Sequence, residues 1–248
     1  MAERIWDNYL TERDKAVFET SGYGAIGGGG KKPALIVIDV NYNFCGDKRE
    51  PILESIKRFR NSCGEDAWDA LSHIRALIDK CRAKGIPVIY TTGTVRHDGW
   101  DAGGWAWKNA RSQEDAAPPV ANGLNRDGND IMDEIEPAPK DIVIRKHKPS
   151  AFYGTPLMGF LNDLGADSLI VTGTTTSGCV RASVLDAFSN NLRCTVVEEG
   201  CFDRSQASHA INLCDMNAKY ADIVNMEAAL DYIDTIDGEY NLPSGEVR

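Results

Sequence analysis

Short apolar runs rich in β-branched residues constrain the fold of this chain more than any other feature of its sequence. Runs of this length are too short for typical helices. They also lack the alternation of apolar and polar residues found in strands with one solvent-exposed face, so they predict strands buried on both faces. Five runs are clear and a sixth is shorter: PALIVIDV at 33–40, IPVIYTT at 86–92, DIVIRK at 141–146, DSLIVTG at 167–173, LRCTVVEE at 192–199 and ADIVNM at 221–226.

Stretches with helical periodicity lie between these runs. Gly85 and Gly165 stand where a glycine commonly follows the last turn of a helix. Strands that alternate with helices imply right-handed crossovers and a sheet covered on both sides. We therefore predict an α/β domain of three layers, α/β/α, around a six-stranded, mostly parallel sheet. The predicted helices cover 66–85, 155–165, 179–191 and 205–220.

The chain divides into three predicted parts. Residues 1–30 form an N-terminal arm, with an amphipathic helix over 1–22 and a flexible glycine-rich connection. The glycines at 27–30 precede a strand and lack the GK[ST] of a phosphate loop, which favours a linker. Residues 31–235 form the α/β domain, and residues 236–248 form a C-terminal tail.

Charge and cysteine content exclude several classes of protein. A net charge of -10 and a pI near 4.9 disfavour nucleic-acid binding, which needs clustered cations. The N-terminus does not resemble a secretory signal, and no apolar run is long enough to span a membrane. Seven cysteines without a CxxC pair indicate reduced thiols. We expect a cytoplasmic protein with no metal, no cofactor, no nucleic-acid partner and no membrane contact.

Three reactive side chains fall at the ends of different predicted strands. Asp39 lies at the end of the first run, Lys146 ends the third, and Cys179 opens a helix after the fourth. In parallel sheets ligands bind beyond the carboxyl ends of the strands, so these groups are expected to converge. Taken singly, each residue favours a structural role: Asp39 as a capping carboxylate, Lys146 as a solvated charge and Cys179 as a buried thiol.

Cys179 is the candidate nucleophile among them. It follows a loop of Gly, Thr and Ser and opens a helix, where N–H groups and the helix dipole favour a thiolate and bind an oxyanion. Histidine is the usual base for a thiol, but His147 is expected to point away from Lys146 on the same strand. The sequence therefore favours Asp39 as proton shuttle and Lys146 as the stabilising cation.

Three segments also carry a resemblance to a known family. ALIVIDVNYNFCG, RKHKPSAFYGTPL and VTGTTTSGCVRASVLDAF resemble, in order and separation, the signature segments of the isochorismatase-like cysteine hydrolases. The resemblance covers about residues 30–235. It implies an Asp–Lys–Cys triad of Asp39, Lys146 and Cys179 on a six-stranded parallel sheet. It also implies a cis peptide at Thr174–Thr175, with the N–H groups of Thr175 and Cys179 forming an oxyanion hole.

Within the family, SGCVR and GCFDRS most resemble the N-carbamoylsarcosine amidase and maleamate amidohydrolase branches. This implies release of ammonia from a small N-carbamoyl amino acid through a covalent thioester, or from an acid amide such as maleamate. Arg204 is the first choice for the substrate carboxylate, with Thr174 beside it, whereas Arg181 is expected to point away. The alternative role for Arg204 is a surface salt bridge with Asp203 or with the Glu198–Glu199 pair.

Other members of the fold are disfavoured by particular residues. Cys179 speaks against the isochorismatases, in which the cysteine is replaced. The metal site of nicotinamidases uses an Asp and two His, and only His97 and Asp98 occur in the corresponding region. A nucleotide-binding role is discounted because DVNYNFCG, rather than GxGxxG, follows the first strand. A catalytically silent interaction module is the remaining alternative.

A long segment at 93–128 is unusual for a compact domain. Loops of this length tend to be lids or interaction segments. Its Trp100, Trp105 and Trp107 fit either closure over a pocket or burial in an oligomer contact. The family resemblance implies a homo-oligomer, a dimer or tetramer, with the N-terminal arm and this loop as contact candidates.

Overall fold

The computed structural model describes residues 4–96, 98–109, 111 and 127–246. Its centre is a six-stranded sheet in the order β3-β2-β1-β4-β5-β6, in which every neighbouring pair is parallel. The predicted α/β class is confirmed, and the sheet is wholly parallel. The strands are β1 (Pro33–Ile38), β2 (Val88–Gly93), β3 (Ile142–Lys146), β4 (Ser168–Thr174), β5 (Arg193–Phe202) and β6 (Asp222–Val224).

Helices connect the strands and cover both faces of the sheet. The four predicted helices correspond to α4, α6, α7 and α8, whereas α9 has no counterpart in the prediction. Within the described part of the chain, no helix is both long and apolar enough to cross a membrane. The helices are α1 (Glu12–Ser21), α2 (Tyr42–Cys45), α3 (Ile52–Ser55), α4 (Glu65–Ala83), α5 (Trp105–Lys108), α6 (Leu157–Leu164), α7 (Arg181–Ser189), α8 (Gln206–Lys219) and α9 (Met226–Asp234).

Strand β1 contributes side chains to both hydrophobic cores, one on each face of the sheet. Successive side chains of a strand point to opposite faces. Ile36 and Ile38 therefore pack in the core that contains α6, α7 and α8, whereas Leu35 and Val37 pack against α4 and α9. All four side chains are essentially inaccessible to solvent. The unbroken apolar run that predicted β1 is thus the consequence of a helical layer on each face.

The order of the strands places a crevice at the centre of the sheet. From β1 the chain proceeds to β2 and β3 on one side, and then returns to place β4 on the other side of β1. Such a reversal leaves an opening at the carboxyl ends of the two central strands. Asp39 follows β1 and Cys179 follows β4, so both lie at this opening.

The N-terminal segment differs from its prediction. Its helix is only ten residues long, α1, and the glycine-rich stretch is docked against the sheet rather than flexible. The N–H groups of Gly27 and Gly28 donate to the Asp222 carboxylate at 2.9 and 2.7 Å, and Trp6 is buried. Local composition does not identify these distant partners, and the assignment of this stretch as a linker stays a prediction.

The C-terminal segment also packs on the domain. Ile236 is buried, and the Tyr240 hydroxyl donates to the Pro33 carbonyl at 2.8 Å. The boundaries predicted at 30/31 and 235/236 stay predictions.

Candidate active site

Asp39 occupies the first position after β1 and is almost completely buried. Its Oδ2 accepts a hydrogen bond from Lys146 Nζ at 2.7 Å, and its Oδ1 accepts one from the Thr91 hydroxyl at 2.9 Å. Its φ of 55° lies in the left-handed region, which costs a residue other than glycine about 1–3 kcal/mol. The surrounding sheet holds this conformation, and in doing so aims the carboxylate along the strand ends.

Lys146 reaches Asp39 from two strands away. It is the last residue of β3, on the same buried face as Ile144, and β2 lies between it and β1. The side chains of Lys146 and Asp39 are 5% and 4% exposed, and Lys146 Nζ also donates to the Lys148 carbonyl. Burial acts to lower the pKa of the Lys146 ammonium, but Asp39 and the Cys179 side chain outweigh it and the pKa is raised. Lys146 therefore carries its positive charge in this buried position.

Cys179 completes this cluster from the other side of β1. It lies in a π-helical turn, Thr176–Val180, that leads directly into α7, and its thiol lies close enough to Asp39 and Lys146 for both side chains to act on its pKa. Burial and the charge of Asp39 together raise the pKa of the Cys179 thiol to about 12, although Lys146 acts in the opposite direction. The raised pKa is consistent with the expectation that the thiol passes its proton to Asp39 before it acts as a nucleophile.

Gly173 allows β4 to approach the end of β1 closely enough to form this cluster. Its φ is 109°, and a Cβ at this position would stand 2.1 Å from the Ile38 carbonyl oxygen. Only glycine fits such a contact. The peptide bond between Thr174 and Thr175, immediately afterwards, is cis, as the family resemblance implied.

The side chain of Thr174 is directed into the protein. It is completely buried, and its hydroxyl donates to the Phe202 carbonyl at 3.1 Å. The Cys63 thiol lies 3.7 Å from the same hydroxyl. These contacts occupy the polar group of Thr174, and its substrate-binding role stays a prediction.

The two arginines near the site have different surroundings. Arg181 binds Asn212 and Asp215 on α8, as expected for a structural residue. Arg204 is exposed, and its Nη1 donates to the Asn61 carbonyl at 3.0 Å, so the expected carboxylate ligand contacts main chain here. Its role toward substrate stays a prediction.

Sequence reasoning missed two residues that support the cluster. Thr91, which holds Asp39, lies near the end of β2, and the rule that directed attention to strand ends would have found it. Ser183 is less visible, because it lies within α7. Its hydroxyl donates to the Cys179 carbonyl at 2.7 Å and accepts the Ala151 N–H at 2.9 Å, which joins the nucleophile's helix to the segment after Lys146.

The tryptophan-rich segment lies beside the segment that follows β3. Trp105 Nε1 donates to the His147 carbonyl, and the Nε2 atom of His147 lies 3.0 Å from the Asp101 carboxylate. Trp100 and Trp107 are about four-fifths exposed. Residues 112–126, which complete the expected lid or contact loop, lie outside the described residues.

The same region carries few side chains of the types that bind metals. The residues that the structure describes contain no cluster of three or more His, Cys, Asp or Glu side chains suited to a metal. Asp98 is paired with Arg96 at 2.8 Å, and His97 lies outside the described residues.

Known proteins share both the sequence pattern and the fold. Residues 33–228 match the isochorismatase domain family. An N-carbamoylsarcosine amidase from Arthrobacter sp. is 30% identical over 237 residues, covering 91% of this chain and 80% of that protein. A maleamate amidohydrolase from Pseudomonas putida is 28% identical over 210 residues, covering 83% of this chain and 89% of that protein.

A solved structure extends the likeness to three dimensions. An isochorismatase family protein from Desulfovibrio vulgaris superimposes with a TM-score of 0.68 at 27% identity, covering 83% of this chain and all of that one. Family match, relatives and architecture agree with the motifs that surround Asp39, Lys146 and Cys179. The chain therefore belongs to the isochorismatase family of hydrolases.

Proposed function

We propose that this hydrolase is a cysteine amidohydrolase that cleaves the linear C–N bond of a small N-carbamoyl amino acid, with release of ammonia. The observation that carries the proposal is the position of one thiol beside a buried Asp–Lys pair, both of whose members act on its pKa. A thiol of raised pKa needs an adjacent base to become a nucleophile, and Asp39 is that base.

The first step is attack on the carbonyl carbon. Asp39 accepts the thiol proton as Cys179 Sγ forms a bond to the carbon, and the carbonyl π electrons move onto oxygen. Lys146 keeps its charge and stabilises the thiolate as it develops, in place of the negative charge that Asp39 loses. In this mechanism the N–H groups of Thr175 and Cys179 bind the oxyanion.

The second step breaks the C–N bond. The oxyanion re-forms the carbonyl, the nitrogen takes the proton held by Asp39, and ammonia leaves an S-acyl enzyme. Asp39 then accepts a proton from water as the water oxygen attacks the same carbon. Collapse of the second tetrahedral intermediate returns that proton to Cys179 and releases the acid. An N-carboxy product loses carbon dioxide to give the free amino acid.

The relatives support the substrate class. An N-carbamoylsarcosine amidase and a maleamate amidohydrolase are among the most similar proteins, and both named substrates carry a carboxylate beside the reacting group. Arg204 is the proposed ligand for that carboxylate. It directly follows Asp203, which binds the backbone of Ser177 two residues before the nucleophile. The maleamate-type reaction is the second candidate, supported by the 28% identical relative.

A panel of N-carbamoyl amino acids and dicarboxylate half-amides, with ammonia release as the measurement, tests the proposal. We expect turnover with at least one N-carbamoyl amino acid, and its loss to the uncatalysed level in Cys179→Ala. Cys194→Ala is the matched control, because Cys194 is an equally buried thiol on β5. Full turnover by a folded Cys179→Ala variant excludes the mechanism. Ammonia from maleamate alone selects the second candidate.

The alternative of a catalytically silent module has little support. The chain belongs to a family of hydrolases, and all three triad positions carry competent groups in mutual contact. A homo-oligomeric state remains part of the proposal. The exposed Trp100 and Trp107 are consistent with a contact surface.

A further inference from the structure

The connection between β5 and α8 binds the loop that precedes the nucleophile. The carbonyl of Phe202, the last residue of β5, accepts hydrogen bonds from two buried hydroxyls, those of Thr174 at 3.1 Å and Thr176 at 3.2 Å. These two threonines flank Thr175, one of the proposed oxyanion donors. A single carbonyl therefore fixes the backbone on both sides of that donor.

His209, on α8, adds a second bond to Thr176. Its Nδ1 lies 2.8 Å from the Thr176 hydroxyl oxygen, and the ring is buried. A hydroxyl has one hydrogen, and that hydrogen is directed to Phe202. In that arrangement His209 Nδ1 donates to the hydroxyl oxygen, which requires the Nδ1–H tautomer of the ring. Burial lowers the pKa of His209 against the opposing charge of Asp203, which favours the neutral ring.

Asp203 binds the next residue of the loop. Its Oδ2 accepts both the N–H and the hydroxyl of Ser177, at 2.8 and 2.7 Å. The Asp203 side chain is itself buried. Thr174, Thr176 and Ser177 are thus all held by one short connection, which touches neither Asp39 nor Lys146 in the contacts among the described residues.

We propose that Phe202, Asp203 and His209 form a clamp that positions the N–H groups of Thr175 and Cys179 for the oxyanion, with Asp203 and His209 as positioning residues. This inference rests on the proposed function. Oxyanion donors act only if they lie within a few tenths of an ångström of the position that the oxyanion occupies in the transition state. Loosening the clamp lowers kcat, whereas binding of the ground state is largely retained.

Thr176→Val and Thr176→Ser test the central hydroxyl. Val keeps the shape but removes the donor to Phe202 and the acceptor from His209, so kcat for the best N-carbamoyl substrate falls about 10- to 100-fold with KM changed less than about threefold. Ser restores the hydroxyl and brings kcat back to within about threefold of the wild type. Thr195→Val, at a buried threonine near the start of β5, is the control and keeps the wild-type kcat.

His209→Ala and His209→Asn test the histidine in the same way. Asn places a donor nitrogen on Cγ, where His carries Nδ1, and is expected to recover most of the kcat that Ala loses. Urea unfolding of each variant measures stability alongside the kinetics. A variant that is destabilised but has an unchanged kcat shows a structural role only.

Two results overturn the clamp. One is a wild-type kcat in Thr176→Val. The other is an equal loss of kcat in Thr176→Val and Thr176→Ser, because Ser retains the hydroxyl and its loss could then not explain the fall. Either result leaves the proposed function standing if Cys179→Ala is inactive. Turnover retained by Cys179→Ala instead removes the oxyanion chemistry on which the clamp depends.

Discussion

The two ends of the parallel sheet both use aspartates to hold neighbouring segments, but under different conditions. At the amino end, Asp167 is exposed and accepts the N–H groups of Lys31 and Lys32, both at 2.9 Å. At the carboxyl end, Asp39 is buried and faces an ammonium and a thiol. An aspartate thus joins two segments in contact with water at one end of the sheet, and at the other end, where water is excluded, it is the base of the proposed mechanism.

The physical difference is the cost of leaving each carboxylate unpaired. Water replaces a lost partner at the amino end, so the interaction contributes little net free energy. A buried charge without its counterion has no such replacement. The carboxyl end of the sheet is therefore expected to be sensitive to single substitutions, in both stability and activity, and the amino end is expected to tolerate them.

Lys146→Met is the change with the largest expected effect. It leaves the Asp39 carboxylate buried without its cation, which is expected to lower the free energy of unfolding by about 3–5 kcal/mol. Turnover is expected to fall at least about 1,000-fold, because the developing thiolate loses its stabilising charge. Urea unfolding and ammonia release measure the two effects.

Arg145→Met is the matched control, since Arg145 is the exposed neighbour on β3. It is expected to change stability by less than about 0.5 kcal/mol. Equal losses in the Lys146 and Arg145 variants would contradict the distinction between buried and exposed charge.

Gly173→Ala tests the close approach of β4 to β1. The added methyl would stand 2.1 Å from the Ile38 carbonyl oxygen, so the end of β1 and the adjoining Asp39 must move. We expect a loss of about 1–3 kcal/mol of stability and at least a 10-fold loss of kcat. Gly85→Ala distinguishes backbone strain from a steric clash. Gly85 also has a positive φ, 69°, but no atom lies within 4 Å of its added Cβ. It is expected to lose stability alone.

Asp167→Asn probes the amino end and has the smallest expected effect. Burial acts to raise the pKa of Asp167, but the N–H groups of Lys31 and Lys32 and the Ser168 hydroxyl outweigh it and lower the pKa below 3.8. The stabilisation is therefore present above about pH 4 and is lost as the pH falls through the lowered pKa.

At pH 7 the Asn variant is expected to lose less than about 1 kcal/mol, with unchanged turnover. Unfolding measured from pH 7 down to pH 2 should show its difference from the wild type disappearing in acid. A difference that grows in acid would show that the carboxylate is not what holds this segment.

Much of the fold could be predicted because its determinants are local. The strand cores were recognised from runs such as PALIVIDV, and four of the long helices from their periodicity. Helix α9 was missed, and so was the docking of the glycine-rich stretch on Asp222, a partner nearly two hundred residues away. Local composition carries no information about such a partner.

The candidate site divides in the same way. Asp39, Lys146 and Cys179 stand at strand ends, and the topology of a parallel sheet brings such residues together. The raised pKa of the Cys179 thiol could not be predicted, because the helix N-terminus is visible in the sequence whereas burial is not. The contact between His209 and Thr176 depends on how α8 packs against the loop, which no spacing reveals.

The sequence alone determined the class of fold, the residue types at the strand ends and the family. Each of these can be recognised from short segments of sequence without knowing how the segments contact one another. The tertiary structure alone decided that Lys146 reaches over β2 to Asp39, that burial raises the pKa of the Cys179 thiol, and that the segment before β1 is docked. Burial and long-range contacts exist only in the folded chain. They set the pKa of a side chain, whereas the sequence gives only its residue type.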